Sequence, residues 1–269
     1  MADARWHDPD YLRAEQYRDG RNLGARANLH AKYGRGDWFA WLASQFSWPT
    51  EADVLEAGCG AGALWDEGRA HLPAGLKLTL TDYSPGMLDE ALKRVRALEH
   101  YASVTGQTAD VCALPFADGA FDIVIANHML YRATDPAKGV AELRRVLQPG
   151  GVALIATNGR DNMRALFALR TALFPAVEPF DPISMRFSIE IAEPILRARF
   201  ADIVLHKYPD TLRCTDADDL LGYVTSSPPG SDAPAIVLPA LRNQIETLLA
   251  ESDGALAVEK SVGLFICRT

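Results

Sequence analysis

A run of apolar, β-prone residues that meets an acid and then three alternating glycines constrains this chain more than any other stretch. It reads Val54-Leu55-Glu56-Ala57-Gly58-Cys59-Gly60-Ala61-Gly62, and the helix-compatible Ala63-Leu64-Trp65-Asp66-Glu67 follows. The pattern predicts a buried parallel strand, a tight turn and the start of a helix. Glycine admits φ > 0 and lets a ligand approach the backbone without meeting a Cβ. Free N–H groups at the helix start suit an anionic or polar ligand. A strand–glycine loop–helix unit of this kind is a nucleotide-type binding site in an open α/β sheet.

The following segments supply the rest of such a sheet. Leu76-Lys77-Leu78-Thr79-Leu80-Thr81 predicts a second strand ending at Asp82. Ser84 is a good N-cap with Pro85 at the first helical position, for a helix running to about His100. Val104 to Thr108 predicts a short third strand ending at Asp110, and Phe121 to Ala126 a buried fourth, followed by Asn127-His128-Met129-Leu130-Tyr131. A helix over 136–147 stops at Pro149-Gly150-Gly151, and Val152 to Thr157 is the fifth strand. Strands alternating with helices imply an α/β fold with a doubly wound, mostly parallel sheet. Ile203 to Tyr208 predicts a sixth strand and 255–267 one closing strand, which makes the sheet seven-stranded, with helices near 162–173, 216–223 and 234–251.

Two segments flank this pattern. Residues 1–48 are rich in aromatics, and Trp38, Trp41, Leu42 and Phe46 fall on one helical face. They are read as an N-terminal helical cap ahead of a main domain over 49–269, packed on the sheet or acting as a lid that contributes Tyr17, Arg26, His30 and Tyr33. Residues 158–200 are read as an insertion beside the cleft, with a proline-broken stretch over 174–184.

Composition narrows the partners. With a formal net charge of −8 over 269 residues, a polyanion such as DNA or tRNA is a poor partner, even with Arg13, Arg18, Arg21 and Arg26 available for a local basic patch. The four cysteines (Cys59, Cys112, Cys214, Cys267) form no Cys-x-x-Cys pair, which points to a reducing compartment and to no zinc site of the usual spacing. The start, Met-Ala-Asp-Ala-Arg-Trp, lacks a signal-peptide pattern, and no apolar run approaches a membrane span. The expectation is a cytoplasmic protein with no membrane partner and no metal, working as a monomer or homodimer.

The acids decide which nucleotide. An acid at the end of the second strand, about twenty residues beyond a glycine loop, can accept hydrogen bonds from both ribose hydroxyls of an adenosine. Asp82 has that place. Asp110 could accept the adenine amino group while the Val111 N–H meets a ring nitrogen. Gly58-x-Gly60-x-x-Ala63 also matches the dinucleotide fingerprint, and Asp82 would serve NAD equally well. Against NAD stand Glu56 inside the strand end, Gly62 as a third alternate glycine, and the long segment before the first strand. An acidic strand end suits a ligand with a cationic amine better than a pyrophosphate.

The segment 54–62 resembles motif I of the class I S-adenosylmethionine-dependent methyltransferases, and Thr81-Asp82-Tyr83-Ser84-Pro85-Gly86-Met87-Leu88 resembles their second motif. Ala109-Asp110-Val111-Cys112-Ala113-Leu114-Pro115-Phe116, Phe121-Asp122-Ile123-Val124 and Arg145-Val146-Leu147-Gln148-Pro149-Gly150-Gly151 are similar to the branch that includes the ubiquinone and menaquinone methyltransferases. The likeness covers residues 50–157 in order and spacing. The stretches 22–33 and 127–132 also look like a group of small-molecule methyltransferases, with Arg132 where those often carry the second residue of a His-rich pair.

The resemblance implies a cofactor pose. Glu56, Gly58, Cys59, Gly60 and Gly62 would line the methionine moiety, Glu56 through its ammonium. Asp82 would hold the ribose, with Tyr83 and Met87 against the adenine and Asp110 and Val111 at its edge. Asn127 and His128 would lie beside the sulfonium, and Tyr33, Arg26 and His30 could close over the methionine carboxylate. The implied reaction is in-line methyl transfer from S-adenosyl-L-methionine to a small-molecule acceptor, at O or N in preference to C, leaving S-adenosyl-L-homocysteine. His128, ahead of His30, is the candidate general base, and Tyr17, Asn158 and Arg160 are candidates to orient substrate. The alternatives are a cofactor-binding protein without transfer, regulatory or pericyclase-like, and a tRNA or protein methyltransferase. Against the last stand the net charge and Asn127-His128-Met129-Leu130 in place of an Asn-Pro-Pro-aromatic signature.

Overall fold

The apolar run becomes strand β1 (Glu51–Ala57), with Val54 to Ala57 all buried. It pairs in parallel with β2 (Gly75–Asp82) on one side and with β4 (Phe121–Asn127) on the other, while β3 (Ser103–Thr108) lies outside β2. Next come β5 (Leu147–Asn158), β6 (Asp202–Lys207), β7 (Thr211–Cys214), β8 (Leu256–Glu259) and β9 (Val262–Arg268). Seven of these form one sheet in the order β3-β2-β1-β4-β5-β9-β6, parallel from β3 through β5 and antiparallel around β9. The α/β, doubly wound, mostly parallel sheet of seven strands expected from the sequence is the one observed.

These coordinates are a computed structural model that describes residues 28–175 and 184–269. The described chain divides into two compact units. One, the sheet unit, holds 37–160, 184–208 and 262–269; the other holds 28–36, 161–175 and 209–261.

In the sheet unit, helices α1 (Trp38–Ser44), α2 (Ala63–Glu67) and α3 (Pro85–Arg96) cover one face, and α4 (Pro136–Val146) and α6 (Ile189–Arg197) cover the other. Alternation along β1 sends Val54 and Glu56 toward the first layer and Leu55 and Ala57 toward the second. Caps fix the helix starts. Asp37 accepts the Phe39 and Ala40 N–H groups, Ser84 accepts that of Met87, and Asp135 that of Lys138, with Pro85 and Pro136 at the first helical positions. Helix α2 is a short piece of five residues, and Pro194 lies inside α6, a helix the sequence reading did not place.

The second unit packs α5 (Arg164–Leu173), α7 (Ala217–Val224) and α8 (Leu238–Glu251) with helical residues 28–33 and the antiparallel pair β7–β8. Leu166, Leu212, Leu220, Ile245 and Val258 are among its buried apolar residues. Here the single closing strand read over 255–267 is corrected. β8 pairs with β7 in the second unit, and only β9 enters the main sheet. The break falls where Lys260 turns its ammonium onto Asp210 at 2.5 Å and the Ser261 N–H donates to Asn162 Oδ1, so the backbone leaves strand geometry at two polar anchors. No helix of the described residues is long and apolar enough to cross a membrane.

Candidate functional site

Parallel register brings three strand ends together. Ala57 lies beside Thr81 of β2 and Ala126 of β4, so Asp82 and Asn127 flank the glycine bend, one on each side. The bend runs at positive φ at each glycine: 67° at Gly58, 52° at Gly60 and 76° at Gly62. Their reasons differ. A Cβ on Gly58 would stand 2.8 Å from Met129 Cβ, and one on Gly62 would stand 2.9 Å from Val95 Cγ2, so both are packing glycines. A Cβ on Gly60 would meet no heavy atom of the described residues within 4 Å. That open face of the backbone is where a ligand can come close. Gly60→Ala is therefore expected to lower stability by only about 1–2 kcal/mol, the cost of a left-handed non-glycine residue, yet to weaken ligand binding far more; paired thermal melts and binding isotherms check both.

Asp82 is held from two sides. Its Oδ2 accepts the Gly60 N–H at 2.9 Å and its Oδ1 the Ser84 N–H at 2.8 Å. Each oxygen keeps lone-pair capacity for a further donor. The Ala109 N–H donates to the Asp82 backbone oxygen, which brings Asp110 to the next strand end, where its Oδ1 takes the Cys112 N–H at 2.8 Å. Val111 is buried, Met87 is half-buried, and Tyr83 is exposed at 69%.

Glu56 is the unusual group. It is 2% exposed, and its Oε2 accepts the Trp65 indole N–H at 2.6 Å. Burial pushes its carboxyl up to about 8; the Trp65 bond opposes this, and the neighbouring Asp82 charge adds to it. No lysine or arginine among the described residues pairs with Glu56 or Asp82. Burial also raises the Cys59 thiol, so Cys59 contributes through its backbone, which joins Thr81 and Gly62.

On the β4 side, Asn127 Oδ1 accepts the Trp38 indole N–H at 3.2 Å, and the His128 ring lies 4.9 Å from the Trp38 ring. His128 holds φ at 54°, a conformation rare for a non-glycine residue and one that clusters at functional sites. Asn158 closes β5 half-buried, while the exposed Arg160 gives its N–H to the Glu190 carboxylate.

Glu56, Gly58, Cys59, Gly60, Gly62, Asp82, Tyr83, Met87, Asp110, Val111, Asn127, His128, Asn158 and Arg160 thus all belong to the sheet unit. His30 and Tyr33 belong to the second unit. There the Tyr33 hydroxyl donates to Asp219 at 2.6 Å, and burial, helped by Lys260, lowers His30 to about 4. Tyr17 and Arg26, with Arg13, Arg18 and Arg21, lie outside the described residues. The sequence reading missed Trp65 as the partner of Glu56 and Trp38 as the partner of Asn127. The spacing of Trp38 shows only an apolar helical face, and a contact nine residues along carries no period that would reveal Trp65.

Residues 55–155 match the family described as methyltransferase domain. A malonyl-[acyl-carrier protein] O-methyltransferase of Serratia marcescens is 34% identical over 116 residues, covering 42% of this chain and 41% of that protein. A ubiquinone/menaquinone biosynthesis C-methyltransferase of Geotalea uraniireducens is 28% identical over 142 residues, 53% of this chain and 60% of that protein. The matched segments therefore span less than two thirds of these relatives' lengths. The solved YcgJ protein of Bacillus subtilis has the same fold, with a TM-score of 0.57 at 16% identity over 86% of this chain and 97% of that one.

Proposed function

We propose that this chain, which matches the methyltransferase domain family over residues 55–155, is a class I S-adenosylmethionine-dependent enzyme that transfers a methyl group from S-adenosylmethionine to a small-molecule acceptor, at O or N. The observation that carries the reading is the pair of acids at the glycine bend. Glu56 and Asp82 flank a backbone left open at Gly60, and no lysine or arginine among the described residues is paired with either. Acids without a cation suit a ligand that brings an ammonium and a sulfonium, and disfavour a pyrophosphate.

In this reading Asp82 accepts the ribose hydroxyls, and Asp110 and Val111 meet the adenine edge, with Tyr83 and Met87 along its faces. The backbone at Gly58, Cys59, Gly60 and Gly62 lines the methionine portion, and Glu56 takes its ammonium. Asn127 and His128 stand beside the sulfur. When bound, S-adenosylmethionine supplies a methyl group that a nucleophile displaces in line from sulfur. The chain's own task is to align the acceptor and exclude water, and alignment of that kind is worth roughly 7–11 kcal/mol of barrier.

An acceptor hydroxyl or protonated amine also has a proton to lose. His128 is the base assigned to take it, for a contribution of about 10²–10⁴-fold. His30, lowered to about 4, is a poor match to neutral pH. Asn158, the last residue of β5, and Arg160 just beyond it are assigned to orient the acceptor. Oxygen as the methylated atom is favoured by the Serratia relative, an O-methyltransferase by name. Equilibrium dialysis against labelled S-adenosylmethionine should give saturable binding, and its absence would remove the reading. Binding without release of S-adenosylhomocysteine across a panel of O- and N-nucleophiles would leave a cofactor-binding protein without transfer.

A further inference from the structure

Trp65 has two features that packing alone does not require. It is fully buried, and its indole N–H is aimed at the one buried carboxyl of β1, 2.6 Å from Glu56 Oε2. Its own placement is fixed by Tyr101, whose hydroxyl donates to the Trp65 carbonyl at 2.5 Å and whose ring meets the indole edge-on at 5.5 Å. A buried indole N–H needs an acceptor and a buried carboxyl needs a donor, so each satisfies the other. An apolar pair of the same volume would serve the fold as well without burying an acid. An acid kept here at that cost, next to Asp82 and two residues before Gly58, indicates a use beyond packing.

We propose that Trp65 is the positioning residue for the cofactor's cationic end: its indole N–H fixes the Glu56 carboxyl at the foot of the glycine bend, and cofactor binding drives one proton from that carboxyl into solvent. The inference rests on the function proposed above. Among the described residues, the groups facing Glu56 are the Trp65 N–H from α2, Asp82 from the end of β2, the Cys59 thiol in the bend and the Tyr101 phenol before β3. Asp82, Cys59 and Tyr101 bring no positive charge. Burial, with the Asp82 charge adding to it, makes the carboxyl of the free protein hold its proton to about pH 8. An ammonium arriving beside it favours the carboxylate, and the released proton makes binding tighter as pH rises.

The test is the dissociation constant of S-adenosylhomocysteine, which also carries the ammonium, measured from pH 6 to 8. Wild type should tighten about tenfold per pH unit, the signature of one proton released. In Trp65→Phe the ring packing remains while the donor is gone, so Glu56 holds its proton more firmly. Affinity at pH 7 should fall about tenfold or more, and the pH dependence should extend to higher pH. Glu56→Gln should bind weakly with a flat profile. A Trp65→Phe profile that superposes on wild type overturns the proposal.

Carbon-13 NMR of the Glu56 carboxyl in the free wild-type protein reads the same group without any variant or ligand. A midpoint near the ordinary 4.5 overturns the proposal, and one near 8 that rises in Trp65→Phe supports the positioning role. A wild type that binds no S-adenosylhomocysteine at any pH overturns the proposed function and the proton coupling together, while the carboxyl titration still decides whether Trp65 holds Glu56.

Discussion

Replacing Lys260 by methionine is expected to destabilise the protein by about 3–5 kcal/mol, the usual cost of stranding one member of a buried ion pair. The Lys260 and Asp210 side chains are 7% and 1% exposed, and their charged atoms are 2.5 Å apart. Burial alone would raise the Asp210 carboxyl; Lys260 and the Arg35 and Thr211 N–H groups outweigh it and hold the carboxyl below its ordinary value. Without the ammonium, two backbone donors remain to support a carboxylate cut off from water. Urea unfolding midpoints of wild type and Lys260→Met measure the loss, and adding Asp210→Asn to that variant should recover much of it, because the stranded charge is then gone. A loss below about 1 kcal/mol would contradict the buried-pair account. His30 offers a second readout. Removing Lys260 removes one of the two influences that lower it, so its midpoint should rise from about 4.

Changing Asp82 to alanine is expected to lower affinity for S-adenosylhomocysteine by roughly hundredfold or more, since two hydrogen bonds to a charged acceptor are lost at about 1.5–3 kcal/mol each. The argument depends on how firmly the acid is held. The Gly60 and Ser84 N–H groups take one oxygen each, so the carboxylate is oriented before a ligand arrives and binding need not order it. Because Gly60 loses its own partner in this variant, Asp82→Asn serves as the companion: it keeps one acceptor oxygen while losing the charge, and should fall between alanine and wild type. Calorimetric titration of both variants decides the matter. Unchanged affinity in Asp82→Ala would refute the ribose assignment and leave the fold argument untouched.

Much of the sheet unit was legible because its signals are local. A strand buried on both faces reads as a continuous apolar run, as Val54-Leu55 and Ile123-Val124-Ile125-Ala126 do. The bend at Gly58, Gly60 and Gly62 was readable for the same reason, since glycine is the residue that takes positive φ there at little cost. Ser84-Pro85 marks one helix start, and a second helix is read from 136, where it begins. Illegible features depend on partners far away in sequence. Lys260 ends β8 because Asp210 lies fifty residues earlier, and nothing between Ala255 and Cys267 announces the change of sheet. Strand β7, four residues long, is too short to show a period, and Pro194 hid α6. The Glu56–Trp65 and Asn127–Trp38 bonds likewise join residues that no spacing rule connects.

The placing of β9 between β5 and β6 sets an order of events in folding. Among the described residues, 202–207 pair with the sheet only through 262–268, so the edge cannot close until a segment made some sixty residues later is available. During synthesis the earlier strands can assemble while β5 waits with one open side. Such long-range closure slows folding relative to local pairing and leaves an apolar strand exposed in the interval, a window in which aggregation competes with completion.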